Sequence, residues 1–100
     1  MNSLDIEELQ LLLKEGEGLT VEFKEHFSSK LDKDMVALAN THGGRIFLGI
    51  DDQGKIVGET LTNALKAKLN SLARNCEPSI TLGDICQIDQ VVVITINESD

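Results

Sequence analysis

The sequence is short of proline, with one in 100 residues, and of cysteine, with two. A single proline beside 41% hydrophobic residues excludes a proline-rich disordered tail and suits one globular core. Cys76 and Cys86 form no CxxC pair and have no histidine nearby at ligand spacing, which argues against zinc or a redox pair. Reduced thiols in an unexported, cytoplasmic chain are expected. Long apolar runs are also missing: none approaches the roughly 20 residues that cross a bilayer, so no membrane partner is expected. The start, "MNSLDIEEL", lacks the basic residues and apolar stretch of a signal peptide. Positive charge is scarce. Nine Lys and Arg stand against 17 Asp and Glu, a formal net charge of −8. A polyanion would be repelled by the chain as a whole, so any nucleic-acid contact needs a local basic patch, a divalent cation, or residues outside these 100.

What is present reads as one domain over residues 1–100, expected to be the N-terminal part of a longer protein. Ile6, Leu9, Leu12 and Leu13 mark a helix face over 5–15, opened by an Asp5/Glu8 capping box and stopped by Gly16. "TVEFK" alternates as a half-buried strand. A second helix is predicted over 30–42, with Leu31, Met35, Leu38 and Ala39 inward. "RIFLGI" is apolar enough to be a central strand covered on both faces. "DDQG" then turns the chain and "KIVG" returns it as another strand. Thr62 caps a third helix to about residue 75, and "SITLGDICQI" and "VVVITI" close the chain as strands around a turn at Asp89 and Gln90. The order αβαββαββ predicts an α+β fold: two layers, a mixed sheet of about five strands and three helices.

The chemistry-bearing residues each have a plain reading beside a functional one. Phosphate-cradling glycines lie between a strand and the N-terminus of the next helix; Gly43-Gly44 instead follow a helix and lead into a strand, and no GxxxxGK[ST] is present. A C-terminal cap and tight turn explain them better. Glu17, Glu22 and Asp51, with Asp52 beside it, would form an oxygen-rich site for Mg²⁺ or Mn²⁺ if neighbouring strand ends bring them together; otherwise they are turn and surface acids. His26 and His42 have no ligand partner at metal spacing, and His42 reads as a helix-end residue. No nucleophilic triad is discernible. Lys24, Arg45, Lys55, Lys66 and Lys68, with Arg74, are the cations available to a phosphate backbone.

Two stretches carry a resemblance. "EGLTVEFKE" and "MVALANTHGGRIFLGIDDQGKIVG" resemble the Schlafen-type AlbA_2 domain family, matching its motifs over Glu17–Lys24 and Ala37–Gly58. Asn40, Gly43, Gly44, Gly49, Gly54 and Gly58 fall on the structural positions of that pattern. The resemblance implies a DNA-binding module of a transcriptional regulator, DNA being favoured over RNA, with a homodimer as a possible assembly. A second branch of the family implies a metal-dependent endoribonuclease, in which Glu17, Glu22 and Asp51 would hold Mg²⁺ or Mn²⁺; outside that branch no cofactor is expected. A protein-interaction domain is the third reading, and the acidic composition suits it.

Overall fold

A computed structural model describes residues 4–99. Helix α1 (Ile6–Glu15) is opened by its own side chains. The Glu8 N–H donates to Asp5 Oδ1 at 2.9 Å and the Asp5 N–H donates to Glu8 Oε1 at 3.2 Å, the reciprocal capping box. Gly16 ends it, its N–H donating to the Leu12 carbonyl at 3.0 Å. Strand β1 (Val21–Lys24), helix α2 (Leu31–Asn40) and strand β2 (Gly44–Leu48) then form a parallel βαβ unit, with Val21 opposite Arg45 and Phe23 opposite Phe47. Helix α3 (Asn63–Arg74) follows, capped by Thr62, whose hydroxyl accepts from the Leu65 N–H at 3.0 Å. Strands β3 (Leu82–Ile88) and β4 (Val91–Ile96) make an antiparallel hairpin, and β4 inserts against β2 to give the order β1-β2-β4-β3.

Alternation along β2 and β4 divides the core between the two faces of the sheet. Ile46, Leu48, Val92, Ile94 and Ile96 pack against Leu31, Met35 and Leu38 of α2 and Leu65, Leu69 and Ala73 of α3. Phe47, Val91 and Val93 face the other way, where Leu9 of α1, Leu4, Val21 and Phe23 cover them. Phe23 and Phe47 stack across the parallel pair at 5.9 Å between ring centroids. The central strand is therefore buried from both sides, as its apolar run predicts. Two helices form one layer and α1 lies across the opposite face.

The class is α+β as expected, with three helices and a mixed sheet of four strands in place of about five. The missing strand is "KIVG", which contributes only an isolated bridge between Ile50 and Ile56. The cause is local. The N–H groups of Val57 and Gly58 both reach the Gly49 carbonyl, at 2.7 and 3.0 Å, so the chain curls around one acceptor and no ladder propagates. Gly49 itself has φ +99°, which breaks β2, and a Cβ there would lie 2.9 Å from the Glu59 nitrogen.

Gly43-Gly44 is a close approach, to the chain's own backbone. A Cβ on Gly43, at φ +74°, would lie 2.6 Å from the Ile96 carbonyl oxygen, and one on Gly44 would collide with the Thr20 carbonyl. The pair lets β2 start between the entry to β1 and the exit from β4.

Candidate functional site

The first acidic pair is positioned by a sheet edge. β1 is an end strand, and the carbonyls of Lys24 and of Thr20 just before it accept from Arg45, Gly49 and Ile50 of the β2 segment. By alternation the Phe23 N–H and the Val21 carbonyl face away from the sheet. Glu17 Oε2 accepts from the Phe23 N–H at 2.9 Å, and the Gly18 N–H donates to the Val21 carbonyl at 3.1 Å. The "EGEGL" turn thus folds over an edge that would otherwise offer free peptide groups to another chain.

Val21 and Phe23 occupy the α1 side, so Glu22 and Lys24 fall on the face covered by α2. There Lys24 Nζ lies 3.4 Å from Asp34 Oδ2 and 3.8 Å from Glu22 Oε2. Burial pushes the Glu22 carboxyl up to about 7; the negative charges of Glu17 and Asp34 and a hydrogen bond to Glu17 add to the shift, and Lys24 opposes it. Two carboxyls sharing one proton is the outcome expected when like charges meet in a partly desolvated place.

Asp51 has another task. Its Oδ1 accepts from the Gln53 and Lys55 N–H groups, both at 2.9 Å, which ties the turn after β2. Asp52 is exposed beside it. Glu17, Glu22 and Asp51 are not assembled, and among the described residues no group of three His, Cys, Asp or Glu side chains is placed to hold a metal ion. The acid that does join the pair, Asp34, is already met by an ammonium group.

The candidate cations are dispersed. Lys24 is in the acidic cluster. Arg45 lies on the α1 side of the sheet beside Leu12, Val21 and Thr95. Lys55 is on the exposed Asp51 turn. Lys66 and Lys68 are exposed on α3, which covers the opposite face. Arg45, Lys55, Lys66 and Lys68 make no ion pair with the described residues. His26 approaches Glu59 at 3.5 Å, and His42 is exposed two residues past the end of α2, so it is not a helix-end partner in the way expected. Asn40 ends α2 and its Oδ1 accepts from the Ser99 hydroxyl at 3.3 Å, while Gly54 and Gly58 shape the 51–58 turn. Cys76 and Cys86 are unpaired and half-buried, and burial raises both thiols.

Nothing in the local sequence marks Asp34, because only the docking of α2 on the sheet brings it to Glu22. A further set was invisible for the same reason: Phe27, Glu59, Gln87 and Gln90, from three separate segments, line one cleft with His26 and Lys68.

A parallel β1–α2–β2 unit, a glycine junction threaded between neighbouring strands and a hairpin inserted beside it define a small α+β domain. The family model for Schlafen, AlbA_2 matches residues 17–100, and the chain belongs to this family. No curated protein matches it. Among the described residues no helix is long and apolar enough to cross a membrane.

Proposed function

We propose that this domain is a nucleic-acid-binding module, acting on DNA in preference to RNA as part of a transcriptional regulator. Family membership over residues 17–100 carries the reading. The free cations support it: Lys66 and Lys68 stand exposed on α3 and Lys55 on the turn after β2, each open to a phosphate oxygen. With a net charge of −8, affinity from these contacts is modest and strongly dependent on salt.

The test is a fluorescence-anisotropy titration of labelled DNA at low salt with the whole chain. Saturable binding that weakens as salt is added, and that falls several-fold in the Lys66→Ala/Lys68→Ala double variant, is the expected result. Absence of saturable binding at low salt to DNA and to RNA would remove the proposal.

A further inference from the structure

A cleft of about 870 Å³ opens where the segment after β1, the segment before α3, the start of α3 and the β3–β4 turn meet. Its size falls within the roughly 300–1,000 Å³ of small-ligand sites. One wall is the half-buried ring of Phe27, with Lys68 Nζ 5.9 Å from the ring centroid. Glu59 lines the same cleft, on a backbone held from both sides. Its N–H donates to the Gln90 carbonyl at 2.8 Å, and its carbonyl accepts from Gln87 Nε2 at 2.8 Å. Gln87 Oε1 also accepts from the Leu61 N–H at 2.7 Å, so one side chain clasps the whole segment to β3. The Glu59 carboxylate is therefore carried by a fixed backbone, with His26 Nδ1 3.5 Å away.

An aromatic ring, a long cationic side chain and a fixed carboxylate are complementary to three parts of one nucleotide. The ring offers a stacking surface, the ammonium group meets the phosphate, and the carboxylate accepts from an exocyclic amine. A base inside a duplex presents neither its face nor its pairing edge, so the complement is an unpaired base. The overall charge points the same way. A duplex brings one negative charge per roughly 1.7 Å of axis toward an acidic protein, whereas a single strand brings one per roughly 3.4 Å.

We propose that this cleft binds one unpaired nucleotide, with its base against Phe27, its phosphate at Lys68 and an amino group of its pairing edge at Glu59. The proposal rests on the nucleic-acid reading and narrows it to single-stranded segments. Lys68 leaves the ring when the phosphate arrives, which frees the stacking face.

The experiment titrates the whole chain, at low salt, with labelled decamers of deoxycytidine and of deoxythymidine and with a duplex of mixed sequence. Cytosine has the amino donor that thymine lacks. The deoxycytidine strand is expected to bind more tightly than the deoxythymidine strand and than the duplex. Phe27→Leu, which keeps an apolar side chain of similar bulk, is expected to weaken it about tenfold, the scale of one lost base stack. Glu59→Gln is expected to narrow the difference between the two strands. Amide shifts of Phe27, Glu59 and Gln90 on adding the deoxycytidine strand to the unsubstituted protein map the site even if Phe27→Leu fails to fold. Duplex binding at least as tight as that of either strand, or shifts that avoid these residues, would overturn the cleft assignment and leave the nucleic-acid reading standing. No binding to any of the three probes or to RNA would overturn both.

Discussion

Glu22 is where the local electrostatics are most unusual. Its folded carboxyl titrates near 7 against an ordinary value of 4.5, so between those values the folded protein holds a proton that the unfolded chain has released. The stability this group contributes is complete below about 4.5 and is lost as pH rises through about 7. Thermal melts from pH 5 to 8 should show the unsubstituted protein losing stability relative to Glu22→Gln; parallel curves would mean that the Glu22 carboxyl is not raised in the folded protein. Glu17→Gln removes the first of the two charges that raise the group, so the Glu22 carbon resonance should titrate at lower pH in that variant. At Gly43, alanine meets both a left-handed φ and the Ile96 carbonyl. Its cost should be at least about 1–3 kcal/mol in urea unfolding. A neutral substitution would show that the junction relaxes.

Individual elements differ in how far local sequence decides them. The Asp5/Glu8 box, the Thr62 cap and the Gly16 stop were legible because each acts within four residues of itself. Removing the hydroxyl in Thr62→Ala should cost about 1 kcal/mol, measured by the same unfolding experiment. The return strand expected at "KIVG" does not form because a strand exists only if a partner ladder continues, and Gly49 ends that ladder. Glu17 shows a different limit. Its spacing to Glu22 was visible, but its bond to the Phe23 N–H follows from β1 being an edge, which is a property of strand order. Glu17→Ala should speed hydrogen exchange at the Phe23 amide while β2 amides stay protected; unchanged exchange at Phe23 would show that the turn covers the edge without that bond.

For the whole molecule, the charge of −8 and the scattering of the cations over both faces set the terms of any nucleic-acid contact. Motif recognition made the family legible, yet the cleft was not, because Phe27, Glu59 and Gln90 lie far apart in sequence and meet only when the β3–β4 hairpin closes beside α3. An acidic body with a few outward lysines should neutralise only two or three phosphates. The most direct measurement is therefore the affinity of the whole chain for DNA, single-stranded and duplex, as a function of salt. The account predicts saturable binding at low salt, with log K falling against log salt at a slope of about −1 to −3. Failure to bind either form at low salt, or an affinity that salt does not change, would contradict it.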